Sequence, residues 1–88
     1  MGWKISFDQR AEKQFEKLVK RDRLLIAGYL YQRVAAQPDP RRLGKALTGD
    51  WKGFWRYRVA DWRVICELRD RDLLVLVIEI GHRREVYK

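Results

Sequence analysis

Residues 53–69, GFWRYRVADWRVICELR, alternate large apolar side chains with charged ones on both sides of an Ala-Asp pair. Because successive side chains of a strand point to opposite faces, this pattern predicts two antiparallel strands joined by a turn at Ala60 and Asp61. In that register Arg58 lies directly opposite Arg63. A shift of one residue would set arginines among the apolar side chains and bury their charge, so the segregation supports this register.

The predicted hairpin has two chemically distinct faces. The first is entirely apolar and consists of Trp55, Tyr57, Val59, Trp62, Val64, Cys66 and Leu68. The second, called the arginine face below, consists of Phe54, Arg56, Arg58, Arg63, Ile65 and Glu67. An apolar face must be covered by a second layer, so we expect helices there and solvent on the arginine face. Ala-Asp is not a favoured type I′ sequence, which leaves the turn type open.

A strand and a helix are predicted before the hairpin. Apolar residues alternate with polar ones in WKISF, residues 3–7, as in a strand with one buried face. The carboxylate of Asp8 can accept hydrogen bonds from the free amides of a first helical turn. Apolar residues follow at helical spacing from Ala11 to Leu18, and the helix is predicted to end near Arg21.

A second helix is predicted to begin at Asp22 as its cap and to stop before residues 37–40, QPDP, because prolines interrupt a helix. Its apolar stripe includes Leu25 or Ile26, Tyr29, Leu30 and Val34. A short strand is predicted around Leu43 to Leu47. Residues 73–80, LLVLVIEI, are apolar on both faces, which indicates a strand in the middle of the sheet that Gly81 ends.

These elements predict one α+β domain over residues 1–88. It comprises an N-terminal strand, a two-helix hairpin and then an antiparallel sheet with both helices on one face. The chain has no apolar segment long enough to span a membrane and no signal sequence, so we expect a cytoplasmic protein. A lone cysteine excludes an internal disulfide, and Cys66 is expected to be a buried apolar residue. No Cys and His spacing predicts zinc, and no metal or cofactor is expected.

Positive charge runs through the whole chain, with 20 Lys and Arg against 12 Asp and Glu and a net charge of +8. This excess is compatible with a solvated surface or with a polyanionic partner. Arg58 opposite Arg63 favours the partner, because directly opposed like charges destabilise a sheet. Arginine forks bind phosphate oxygens in pairs, so the arginine face predicts contact with a nucleic acid backbone. A further basic strip, Arg41, Arg42, Lys45 and Lys52, is expected to widen this surface.

Cleavage of RNA without a metal demands more than binding. Attack of the ribose 2′ oxygen on its phosphate needs a proton acceptor, a proton donor and stabilisation of the phosphorane charge. Arginine supplies the last of these but stays protonated. The candidates for proton transfer are His82, Tyr87, Lys52 and Glu67. Taken alone, His82 is also compatible with an ordinary surface residue and Tyr87 with terminal packing.

Two segments, KALTGDWKGFWRYRVADWRVICEL at 45–68 and VLVIEIGHRREVYK at 75–88, closely resemble the RelE toxins of bacterial toxin-antitoxin pairs. The resemblance implies a metal-independent endoribonuclease that cuts messenger RNA in the ribosomal A site by 2′-OH attack and so inhibits translation. Its implied catalytic residues are Arg56, Arg58, Arg63, Arg83 and Tyr87. Lys45, Lys52 and His82 are expected to contact substrate. Its implied partners are messenger RNA, ribosomal RNA and an acidic, RelB-like antitoxin.

The chain departs from the RelE pattern at Arg56 and Arg58, where lysines are usual and one lysine was the proposed general base. An arginine there binds phosphate well but accepts no proton, so we expect Tyr87 or His82 to take that role, or charge stabilisation to carry most of the rate. ParE toxins share the fold implied here and inhibit DNA gyrase without cutting RNA. They generally lack the full arginine and tyrosine set, which favours the nuclease.

Overall fold

The computed structural model describes residues 2–82. Strands β1 to β5 form one sheet in the order β1-β5-β4-β3-β2. The strands and helices are β1 (Lys4–Phe7), α1 (Gln9–Glu16), α2 (Lys20–Gly28), β2 (Lys45–Ala46), β3 (Trp55–Val59), β4 (Trp62–Arg69) and β5 (Leu74–His82). A π-helical turn, Tyr29–Val34, extends α2, and short 3-10 turns cover Pro40–Leu43, Gly49–Trp51 and Asp70–Asp72.

The hairpin register is confirmed in full. Trp55 pairs with Cys66, Tyr57 with Val64, and Arg58 with Arg63. At the turn Ala60 has a positive φ of 54°, whereas Asp61 does not, so the turn is not of type I′, which needs positive φ at both positions.

The apolar face of the hairpin is covered by the helical layer, as expected. Ala11 of α1 and Ile26 of α2 are completely buried against this face. The buried core of this layer and the sheet is formed by Ala11, Ile26, Leu30, Val34, Tyr57, Val59, Val64, Cys66, Val75, Val77 and Ile80. Ile26 therefore belongs to the buried apolar stripe of the second helix. Leu25 does not, because it is 47% exposed. The expected α+β fold class is confirmed, and the opposite face of the sheet carries the arginines.

The place of β5 in the middle of the sheet is also confirmed, between β1 and β4. One pairing differs from the fully antiparallel sheet that was expected, because β1 runs parallel to β5 and the sheet is mixed. The β3-β4-β5 meander is fixed as antiparallel by short connections. β1 and β5 are joined through the helical layer and every other strand, so no tight turn dictates their relative direction.

The boundary between the helices was predicted wrongly. α1 ends at Glu16 instead of near Arg21, and α2 is capped by the backbone of Val19 instead of by Asp22, which lies in its first turn. The chain turns after Glu16 so that Leu18 can pack against the core, and the Arg23 guanidinium donates to the Leu18 carbonyl there. The cap at Asp8 is confirmed, since its carboxylate accepts from the Ala11 amide at 2.8 Å.

Gly81 does not end β5, contrary to the prediction. The strand continues through His82, and Gly81 pairs with Arg63. Glycine weakens a strand but does not forbid the extended conformation, and the free length of β4 offers Gly81 and His82 hydrogen-bonding partners. The expected strand near Leu43 is reduced to Lys45–Ala46.

A buried hydrogen bond joins β3 to the 3-10 turn Pro40–Leu43. The Tyr57 hydroxyl, wholly buried, donates to the Pro40 carbonyl at 2.8 Å. The ring also passes so close to Gly44 that a Cβ there would lie 2.9 Å from it, so this position needs glycine. Burial raises the pKa of Tyr57, which is a framework donor and not an acid-base group.

Candidate nucleic-acid interface

The open face of the sheet carries its arginines in two rows that run across the strands. Arg58, Arg63 and Gly81 form the first row, and Arg56, Ile65 and Glu79 form the second. Lys45 of β2 extends the second row, because it pairs with Arg56. Residues directly opposite one another share a face, with Cβ atoms about 5 Å apart. The sheet therefore brings Arg56, Arg58, Arg63 and Lys45 together on the open face; these four residues are called the arginine surface below.

The arginines differ in their exposure. Arg58 is exposed, whereas Arg56 and Arg63 are half-buried beside Ile65, which is completely buried. The Nε atom of Arg56 is buried and has no hydrogen-bond partner within residues 2–82. An inaccessible N–H donor without a partner costs about 1–3 kcal/mol. An anion cannot reach this buried atom, so the suitability of the surface for phosphate rests on the other N–H donors of its guanidinium groups, which can bind phosphate oxygens in pairs.

The edge of the sheet beside this surface is held by α1. β1 pairs with β5 only as far as Val77, so the backbone of β5 is left without a strand beyond that residue. There the side chain of Gln14 replaces a strand: its carbonyl accepts from the Ile80 amide at 2.8 Å, and its amide donates to Glu79 at 3.3 Å. Arg10 adds an ion pair to Glu79 at 3.1 Å. The helix thus fixes the strand segment that immediately precedes Gly81, the residue opposite Arg63.

Arg41, which was expected to belong to the basic strip, is used for structure. It forms a two-pronged ion pair with Asp70, at 3.0 and 2.7 Å, and a further one with Asp39 at 3.1 Å. Its guanidinium also lies 5.7 Å from the centre of the Trp55 ring. The hydrogen bonds from Arg41 hold the pKa of Asp70 below its usual value. Arg41 is therefore committed to carboxylates, whereas Arg42 and Lys52 are exposed.

His82 does not join the arginine surface. It pairs with Trp62 and packs edge-on against that ring, with centroids 5.7 Å apart. Trp62 belongs to the apolar face, so His82 lies on the helix side of the sheet, in a shallow pocket with Asp22 and Leu25. Gly81 faces Arg63, and the next residue of a strand must face the other way. The structure thus places His82 on the face opposite Arg63, and its expected contact with substrate stays a prediction.

Glu67, Arg83, Tyr87 and Cys66 are the remaining residues that the sequence analysis considered. Glu67 lies on the arginine face but is bonded to Arg69 at 3.3 Å. Arg83 and Tyr87 lie outside the described residues. Cys66 is buried, as expected, and burial raises the pKa of its thiol.

In residues 2–82 no group of three or more Asp, Glu, His or Cys side chains is placed to hold a metal ion. No helix described there has the length and apolarity to cross a membrane.

Sequence reasoning missed the role of Gln14 and Arg10. Both lie on α1, and nothing in a helical pattern shows that a neighbouring strand edge is free. It also missed the contact between Trp51 and Phe54, whose rings meet edge to face at 6.1 Å beside the open face.

A two-helix layer on one face of a small mixed sheet, with arginines on the other, is the architecture of a class of bacterial toxins. Residues 5–87 match the family model described as the ParE toxin of the type II toxin-antitoxin system parDE. The chain therefore belongs to this toxin family, and the RelE/ParE superfamily assignment is confirmed.

Individual relatives agree with this assignment. Toxin RelG of Mycobacterium tuberculosis is 22% identical over 88 residues, covering 100% of this chain and 99% of RelG. In the toxin-antitoxin complex RelBE2 of the same organism, one chain superposes with a TM-score of 0.85 at 20% identity, over 97% of this chain and 95% of that one. The isolated E. coli RelE toxin gives a TM-score of 0.72 at 24% identity, over 97% and 90% of the two chains. These structures show the common fold.

Proposed function

We propose that this toxin is a metal-independent endoribonuclease that cuts messenger RNA in the ribosomal A site by attack of the ribose 2′ oxygen. The observation that carries the proposal is Arg58 directly opposite Arg63, with Arg56 beside them, on the face that the helices leave open. A cluster of this kind has no structural benefit, since its charges repel. It is suited to a ligand that brings negative charge, and a phosphodiester in its transition state carries more of it than in the ground state.

The three arginines can divide the work on one phosphate. Arg58 and Arg63 bring guanidinium groups from two strands, the first exposed and the second half-buried, and Arg56 adds a third beside them. Such fixed donors stabilise a phosphorane without accepting a proton. By the resemblance to RelE, Arg83 would add charge at the leaving group and Tyr87 would orient the substrate.

The position of His82 bears on which group accepts the proton of the 2′ hydroxyl. His82 packs against Trp62 on the opposite face, so it is not placed to take the 2′ proton. We propose instead that charge stabilisation supplies most of the rate, with Tyr87 as the group that aids proton transfer. His82→Ala should then leave cleavage within about twofold of the parent, whereas Tyr87→Phe should lower it by roughly tenfold or more, in the range typical of acid-base groups.

The main test is cleavage of a defined messenger RNA by the purified protein, mapped by primer extension with and without ribosomes. Arg83→Ala and Arg58→Gln should abolish or strongly reduce cuts while circular dichroism and the unfolding midpoint show a folded protein. Arg71→Gln, which removes the same charge from an exposed turn, is the matched control and should cut normally. Retained cleavage by folded Arg83→Ala would refute the assignment.

A second candidate function has support from the family itself, whose model is described as the ParE toxin. In this alternative the open face binds DNA gyrase and no RNA is cut. Expression would then cause growth arrest with DNA damage and intact transcripts. Transcripts cut within codons only in the presence of ribosomes would decide for the nuclease.

We propose an acidic antitoxin of the RelB type as the protein partner, acting with this toxin in the cytoplasm. Solved relatives include toxins in complex with RelB, such as the intact E. coli RelBE complex. The arginine surface gives such a partner a charge-complementary target. Its association should weaken as salt is raised, and Arg58→Gln should reduce that salt dependence in a binding titration.

A further inference from the structure

A groove lies on the open face of the sheet, beyond the two arginine rows. Leu76 and Ile78 of β5 line it, together with the rings of Trp51 and Phe54 and the carboxylate of Glu67. It encloses about 740 Å³, within the range of sites that hold small organic groups. The two rings are inclined by 73° to each other, so they present surfaces in two orientations. The groove therefore combines an apolar floor and aromatic walls with charged side chains in its lining.

The groove is one step along the strands from the arginine surface. Phe54 precedes Arg56 by two residues, and Glu67, which pairs with Leu76, follows Ile65 by two residues. Residues two apart on a strand lie about 7 Å from each other on the same face. Consecutive nucleotides of an extended RNA strand advance by a comparable distance. A nucleotide adjacent to a phosphate on the arginine surface can therefore place its base in the groove.

The lining of the groove carries two arginines, Arg10 and Arg69, and four carboxylates, those of Asp8, Asp50, Glu67 and Glu79. Glu79 is paired with Arg10, and Oε1 of Glu67 is bonded to Arg69 at 3.3 Å. Within the described segment no hydrogen bond engages Oε2 of Glu67. Oε2 of Glu67 thus remains as an acceptor next to the apolar floor of Leu76 and Ile78. Carboxylates accept from amino groups of bases such as N4 of cytosine, and aromatic rings stack on any base.

We propose that this groove is a base-binding subsite that takes the nucleobase next to the held phosphate and favours bases with an exocyclic amino group. The inference rests on the proposed function for its physiological substrate, but base binding can be measured without cleavage. Glu67 is the residue that discriminates between bases, and Phe54 provides stacking area that does not distinguish them.

The test uses fluorescein-labelled 2′-O-methyl oligonucleotides, which lack the attacking hydroxyl, as cytosine-only and uracil-only chains of equal length. Anisotropy titrations with the full protein should give a preference for cytosine of roughly three- to tenfold. Glu67→Gln should remove or reverse this preference, because an amide can donate to the uracil O4 atom. Phe54→Leu should weaken both oligonucleotides alike, by roughly tenfold. Asp72→Asn, the same charge change at an exposed position outside the groove, is the control and should leave the preference unchanged.

Several outcomes would overturn the subsite. The first is a preference that survives Glu67→Gln, and the second is an absence of any difference between cytosine and uracil in the parent protein. A third is that Glu67→Gln and Phe54→Leu weaken only binding of the antitoxin, which would assign the groove to a protein partner. A parent protein that discriminates between the oligonucleotides but cuts no messenger RNA on ribosomes would contradict the proposed nuclease and leave the subsite intact.

Discussion

Replacing Arg58 by glutamine should make the protein more stable while it removes activity. Arg58 and Arg63 face each other across β3 and β4. For guanidinium groups about 7 Å apart, the repulsion is about 0.6 kcal/mol in water and about 2.4 kcal/mol at an effective dielectric constant of 20. Since Arg58 is exposed, the lower part of this range applies, and we expect a gain of about 0.5–1 kcal/mol in the free energy of unfolding.

The effect can be measured by urea unfolding in low and high salt. With a slope of about 1 kcal/mol per molar urea for a small domain, the midpoint should rise by about 0.5–1 M. In about 1 M salt the screening length falls to about 3 Å, so most of the gain should disappear.

Arg71→Gln gives the control for net charge alone. Arg71 lies between Asp70 and Asp72, so its removal should have no stabilising effect although the charge change is identical. A destabilised Arg58→Gln protein, or a gain that persists unchanged in high salt, would show that the opposed pair does not strain the sheet.

Three further predictions concern the framework. Tyr57→Phe should lower the free energy of unfolding by about 1–2 kcal/mol in urea titrations, because it leaves a buried carbonyl without its donor; Tyr31→Phe, at a side chain that is 55% exposed, should change it by less than about 0.5 kcal/mol. Ala60→Gly should raise thermal stability, by about 0.5–1 kcal/mol, because glycine adopts the positive φ at this turn without strain. Arg41 lowers the pKa of Asp70, so their pair stabilises the fold above the unfolded-state pKa of about 3.9 and this contribution is lost as the pH falls through the folded value. Asp70→Asn should therefore flatten the fall in stability between about pH 5 and pH 3, and an unchanged acid profile would contradict the assignment.

The parts of the fold that could be predicted are those whose structure is set by the alternation of apolar and polar side chains within one short segment. The hairpin was predicted to the residue because shifting its register would have buried arginines. Gly81 was misread because glycine was treated as an end signal, whereas the open length of β4 beside it decides where β5 stops. Ending the strand there also left the face of His82 unpredicted, because the alternation of side chains was not extended to this residue.

The rest of the site depended on long-range contacts that no local pattern contains. Arg41 looks like any other basic residue in the sequence, and only the folded chain brings Asp70 to it, 29 residues away. Gln14 is an ordinary polar helix residue until the short β1 leaves an edge of β5 for it to bond. The parallel direction of β1 likewise follows from the path through the helical layer.

Arg56, Arg58 and Arg63 can explain both the proposed cleavage of RNA and its inhibition by an antitoxin. A pair of directly opposed charges makes the arginine surface costly when nothing is bound. Any polyanion that fits should relieve this cost, and an RNA phosphate and an acidic antitoxin segment would do so at the same atoms. Binding of one should therefore exclude the other by shared electrostatics, with no need for a conformational change in the sheet. The groove beside the surface adds what charge alone lacks, because its aromatic walls and the Oε2 atom of Glu67 can distinguish one nucleic acid segment from another.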